Sequence, residues 1–268
     1  MKHALRSKAG FTLLELLIAT AIFMVICAAM FTLLQISQQK YAIETQMSGS
    51  FQEARLGLDQ IVRDINISGY PTASLLSNTS NPLSFAQSPF AWSTGYPTTK
   101  CQVGGTCATP TDQDLIVETN PYPGNPVSAV SWIHYQYQPQ SGTSYGTLFR
   151  GVIQKTGGDP LSSFSNNPGV MTPLVNYVVN YAQGGLLTQI NAEYPSMLAG
   201  GQQPIFVYTC STPSGPQPCS QAGAYNAPRY ISDVDITLVV MTPYQDMQTQ
   251  SMQLIELTGR GHSTNSGN

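Results

Sequence analysis

From Phe11 to Ile36 the chain runs FTLLELLIATAIFMVICAAMFTLLQI, a nearly unbroken apolar stretch in which Glu15 is the sole charged residue. As an α-helix these residues rise about 39 Å at about 1.5 Å per residue, enough to cross a bilayer core of about 30 Å. Such a run has to lie in lipid or against other apolar helices, so it dictates where the remainder of the chain can fold. Residues 1–10 carry Lys2, Arg6 and Lys8 and no acid. Positive charge ahead of an apolar span holds the N-terminus in the cytoplasm and sends the C-terminal bulk outward. A secretory signal would be cut after its apolar region at small residues. Cys27-Ala28-Ala29 offers that chemistry, but a Glu within the run and its continuation to Ile36 argue against it. A lipoprotein site at Cys27 is opposed by Ile26, where a small residue is expected.

A carboxylate inside a membrane span is costly and marks either a functional site or an acid at a helix start, favoured by the N-terminal dipole. The surrounding string bears on the choice. Gly10-Phe11-Thr12-Leu13-Leu14-Glu15, a basic leader before it and about twenty apolar residues after it, resembles the type IV prepilin signature shared by pilins and type II secretion pseudopilins. The resemblance implies cleavage between Gly10 and Phe11 by prepilin peptidase at the cytoplasmic face. It also implies N-methylation of Phe11 and places Glu15 at the fifth mature position. The new Phe11 amine is then a cation at the edge of hydrocarbon, and a neighbouring subunit's Glu15 can neutralise it, because buried charge needs a partner. Glu15 is therefore the expected determinant of assembly and axial register, and other pilin or pseudopilin subunits are the expected partners through the N-terminal helix.

The helix is predicted to run on to about Ser68. No Pro occurs between Phe11 and Tyr70, and Gly69-Tyr70-Pro71 supplies a stop. Met47, Phe51, Ala54, Leu58, Ile61 and Ile65 fall at helical spacing and form an apolar stripe, expected to pack against the head. Gln52, Glu53, Arg55, Asp59, Gln60, Arg63 and Asp64 fill the polar face, and Asp59 and Arg63 have i,i+4 geometry. Arg55, Leu58, Asp59, Arg63, Asp64, Gly69 and Tyr70 also resemble the helix end of PilW-type minor pilins and J-type pseudopilins. The Pro that many major pilins carry near the twenty-second mature residue is replaced by Thr32. The resemblance thus implies a PilW-like minor pilin of a type IV pilus, the J-type secretion pseudopilin being the alternative. J-type heads are usually smaller.

Beyond Pro71 the sequence predicts a loop-rich stretch to about Pro110, then strands at 115–119, 131–137, 147–154, 174–181, 204–208, 234–240 and 251–257, from alternating or short apolar runs. Strand-rich heads with one long helix are α+β, with an antiparallel sheet packed on the helix. The organisation is a leader (1–10), a membrane and filament-core helix (11–36), its amphipathic continuation (37–69), a β-rich head (70–262) and a polar tail (263–268). Four cysteines lie in the head, Cys101, Cys107, Cys210 and Cys219. Three pairings are open to them. Turn residues between near neighbours favour Cys101–Cys107 and Cys210–Cys219, which an oxidising periplasm would preserve. Their spacing fits zinc poorly.

Only 9% of residues are charged, with 11 basic and 14 acidic side chains, against about 25% charged in ordinary soluble domains. That leaves no basic surface for nucleic acid. Without Lys2, Arg6 and Lys8 the balance is 8 − 14 = −6. No nucleophile elbow, phosphate loop or zinc-helix motif is present. His134 is expected on an outward strand face and His262 in the tail. Asp112 and Asp114 are expected in a turn before a strand rather than around calcium, and Asp233 and Asp235 on a solvent face. A structural, non-enzymatic subunit without cofactor or metal is the expectation, at the inner membrane and then in a pilus or pseudopilus. A surface-binding module on a pilin anchor is the alternative of another class.

Overall fold

A computed structural model describes residues 12–76, 79–122, 130–198, 201–243 and 252–265. One helix dominates it. Helix α1 spans Leu13–Asn66, close to the predicted 11–68, and its 54 residues extend about 81 Å at about 1.5 Å per residue. No proline interrupts its hydrogen-bond ladder.

The head is an antiparallel sheet that curls around the C-terminal end of α1, giving an α+β, pilin-like arrangement. Its strands are β1 (Phe90–Ala91), β2 (Asp114–Thr119), β3 (Ser131–Pro139), β4 (Gly146–Gln154), β5 (Thr172–Val178), β6 (Phe206–Thr212), β7 (Gly215–Pro218), β8 (Ile231–Met241) and β9 (Leu254–His262). The path β1-β2-β3-β4-β5-β8-β6-β7 is antiparallel throughout, and β9 pairs β8. The two longest ladders are β3 with β4 and β8 with β9, each matched over nine residue pairs. The turn between β3 and β4 holds Gly142 at φ 78° and closes with Gln140 N donating to Tyr145 O.

The apolar stripe of α1 packs on this sheet, though over less of its length than the spacing predicts. Ala54, Leu58, Ile61 and Ile65 are buried with Leu115, Ile133, Tyr135, Val175 and Val234, whereas Met47 and Phe51 are 40% and 37% exposed. The reason is the reach of the head: its first side-chain bond to α1 is at Glu53, whose Oε1 accepts from Asn176 N and Nδ2. Backbones come close at the packed end. A Cβ on Gly57 would collide with Val175, and one on Gly261 in β9 would lie 2.6 Å from Ile65, so only glycine permits the approach.

The sheet is covered on both sides, which the sequence did not reveal. The stretch predicted as loop contains β1 and buries Trp92 and Tyr96 against Ile116, Trp132 and Phe164. Phe164 belongs to a short helix α2 (Pro160–Ser165), started by an Asp159 cap and Pro160. A further helix, α3 (Gly184–Glu193), closes a third cluster with Val179, Val239 and Leu254. The predicted tail at 263 begins as packed structure: Ser263 is buried, bonds Ser68 Oγ, and its N–H donates to Ser232 O.

Candidate functional site: the N-terminal helix and its seat on the head

The helix start is built by a reciprocal cap. Glu15 N donates to Thr12 Oγ1 at 3.3 Å, while Thr12 N and Oγ1 donate to Glu15 Oε2 at 2.9 and 3.0 Å. This Thr-x-x-Glu capping box satisfies two orphan donors of the first turn. Its sequence signature is local, Thr12 standing three residues before Glu15. Both recorded bonds fall on Oε2, so Oε1 accepts nothing among the described residues. Gly10 and Phe11 lie outside the described residues.

From Leu13 to Gln52 the helix projects beyond the head. Leu13, Leu17, Phe23, Met24, Val25, Phe31 and Leu33 are all exposed, and one window of α1 is long and apolar enough to cross a membrane. The threonine hydroxyls in this part are satisfied internally. Thr20 donates to Leu17 O, Thr32 to Ala28 O and Thr45 to Tyr41 O, the arrangement that lets Thr sit in lipid without an unmet donor. Cys27, half-buried, is a free thiol.

At the seat, Asp64 corrects the predicted polar face. It is 3% exposed. Its Oδ2 accepts from Arg150 Nη2 at 2.8 Å, Arg150 Nε at 3.0 Å and Tyr135 Oη at 2.6 Å. Burial, then the Asp64 carboxylate, hold the Tyr135 phenol well above its usual range, with Arg150 opposing. The phenol therefore stays a donor, and the triad ties α1 to β3 and β4. Asp59 and Arg63 form no ion pair among the described residues; both are exposed. At the helix exit, Gly69 N donates to Glu118 O and Thr119 Oγ1 donates to Ile67 O, fixing where the chain enters the head.

Other polar groups of the head are structural and were not legible as such. Glu118 and Lys155 form a fully buried pair at 2.8 Å. Glu118 also accepts from Trp132 Nε1, Tyr96 Oη and Gln87 N, and Lys155 Nζ donates to Phe85 O and Gln87 Oε1. Each charge thus has several partners, as burial requires. His134, predicted outward, is 2% exposed. Its Nε2 lies 2.8 Å from Asp114 Oδ1 and its ring is tilted over Phe164. Asp114 is the first residue of β2, not a turn residue, and is buried. Asp233, predicted on a solvent face, is 8% exposed. Its Oδ1 pairs with Arg260 Nε at 3.1 Å and His262 Nδ1 at 3.0 Å. Its partner position Asp235 is half-exposed. The cysteines form two bonds, Cys101–Cys107 and Cys210–Cys219.

Residues 5–31 match the family described as the prokaryotic N-terminal methylation motif. The match supports a type IV pilin-like prepilin. In proteins that carry it the motif is the cleavage site of prepilin peptidase, and those proteins assemble with other pilins. It marks a structural family and, with the apolar helix, a membrane-anchored subunit. No curated protein and no solved structure matched.

Proposed function

We propose that the chain is a minor type IV pilin-like subunit of PilW type, cut between Gly10 and Phe11, N-methylated on Phe11, and assembled through α1. The head faces the periplasm before assembly and the cell surface after it. The observation that carries this reading is the projecting half of α1: an exposed apolar rod capped at its start by Glu15. A soluble head has no use for that surface, whereas a helical filament core buries it. Glu15 contributes in two ways. Oε2 holds the first turn, and the free Oε1 suits a neighbouring subunit's N-methylated amine, since a carboxylate can accept several donors. The head with its two disulfide-closed loops favours the pilin over the J-type pseudopilin.

Mass spectrometry of the mature N-terminus is the direct test. The expected first residue is N-methyl-Phe11; an intact Met1 or a start at Met30 overturns prepilin processing. In cells, Glu15→Ala is expected to insert into the membrane normally and to drop out of filaments. Normal incorporation of that variant would remove Glu15 from assembly.

A further inference from the structure

The head holds five basic residues, Lys100, Arg150, Lys155, Arg229 and Arg260. Three are committed to carboxylates: Arg150 to Asp64, Lys155 to Glu118, and Arg260 to Asp233 and Asp235. Lys100 is exposed to solvent. Arg229 is different. It is half-buried, makes no ion pair and no side-chain hydrogen bond among the described residues, and its guanidinium lies over the Trp92 ring, 6.0 Å from the centroid. Stacking of this kind fixes the guanidinium plane and leaves its N–H edges free to donate.

Arg229 lines a cavity of about 580 Å³, within the size range of small-molecule sites. Among the described residues it is the sole cation in the lining, which there contains no Asp or Glu. Ser88 lines the same cavity, is 4% exposed, and has a buried Oγ with no hydrogen-bond partner among the described residues. A buried hydroxyl without a partner is uncommon, and here it shares its cavity with a half-exposed guanidinium that has no side-chain partner among the described residues. Trp92 does not satisfy either group, because its own Nε1 donates to Thr99 O. The remaining polar lining is uncharged: Thr72, Ser74, Gln87, Thr98 and Asn265. Gly69 and Asn265 place the cavity at the end of α1 opposite its apolar half.

We propose that this cavity binds a hydroxylated carboxylate of monosaccharide size, the chemistry of an acidic sugar. Arg229 receives the carboxylate in its planar fork, Ser88 Oγ, buried in the unliganded chain, turns about χ1 to donate to it, and the hydroxyl and amide lining meets the ligand's own hydroxyls. The volume exceeds what a bare anion fills, which is why the charge is assigned to a larger polar body. The site is independent of assembly through α1, so failure of filament incorporation would not touch it.

The test is calorimetric titration of the full-length protein in detergent micelles, at pH 7 and low chloride, with sodium D-galacturonate and with D-galactose. Galacturonate is expected to saturate one site and galactose to bind at least tenfold more weakly. R229Q is expected to lose at least tenfold in galacturonate affinity with an unchanged melting temperature. S88A keeps the charge and is expected to weaken binding severalfold without lowering the melting temperature, since the hydroxyl has no protein partner to lose. Equal affinity for the two sugars, absence of saturable binding, or wild-type affinity in R229Q overturns the proposal. Should R229Q fail to fold, wild-type affinity in S88A overturns it instead.

Discussion

The two parts of α1 are one continuous helix with opposite surroundings. From Leu13 to Gln52 it projects with its apolar side chains exposed; from Glu53 to Asn66 it is seated on β2, β5, β8 and β9. Each part holds one telling acid. Glu15 spends one oxygen on the helix's own first turn and, among the described residues, keeps the other open. Asp64 has both oxygens engaged within the chain, Oδ2 by Tyr135 and Arg150 and Oδ1 by Gln60. The difference separates the interactions that belong to folding from those that the proposed function gives to assembly. The seated part is complete within one chain, and the projecting part is not.

Mutations in the core separate the two parts most strongly. Ile61 is fully buried in the seat, so Ile61→Ala is expected to cost the head about 3 kcal/mol through lost burial and the cavity left behind. Leu17 is 60% exposed, and Leu17→Ala is expected to change head stability by less than about 0.5 kcal/mol. Urea unfolding of the full-length protein in micelles, followed by fluorescence of the buried Trp132, measures both. Equal costs would mean the two parts are not energetically distinct.

Much of this division was legible in the sequence. A proline-free, apolar N-terminal stretch fixes α1 almost to its observed ends, and alternation placed seven of the strands within a few residues. What alternation cannot say is whether the second face of a sheet is covered. His134 and Trp132 point to the face that α2 and the 79–110 region cover, so His134 was expected outside. Asp64 sits next to the apolar stripe, and its partners Tyr135 and Arg150 are 71 and 86 residues away. No local pattern announces them. The same holds for Arg229 and Trp92, brought together only by the fold. By contrast Glu15 and Thr12, three residues apart, carry their whole interaction in the local string.

Acid is expected to loosen the seat and spare the projecting part. Burial pushes the Asp233 carboxyl up, but hydrogen bonds from Ser232, Arg260 and His262 outweigh it and hold the group below its usual range. A carboxyl depressed in the folded state stabilises above its unfolded value, near 3.9. That contribution fades as pH falls through the lower folded value. Asp233 anchors β8 to β9, the strand under Ile65, so head stability should fall below about pH 4 by about 1 kcal/mol from this group, because Arg260 and His262 are well exposed. Asp233→Asn should flatten that part of the pH profile. Near-ultraviolet circular dichroism reports the head, and far-ultraviolet helicity in micelles reports the projecting part. An equal loss in both signals would contradict the division.

The smallest expected effect lies at the boundary itself. Met47 and Phe51 continue the stripe of Ala54 and Leu58 in spacing, yet they stand just beyond Glu53, where the head's side-chain bonds to α1 begin. If the seat starts at Glu53, Phe51→Ala changes head stability by less than about 0.5 kcal/mol, since an already exposed ring loses little burial. If the stripe were a single packing surface, the same substitution would cost about 3 kcal/mol or more, as for a buried Phe. Urea unfolding of Phe51→Ala beside Ile61→Ala decides between them. A small cost would leave the ring of Phe51 as apolar surface on the projecting helix, next to the part that the proposed filament core would bury.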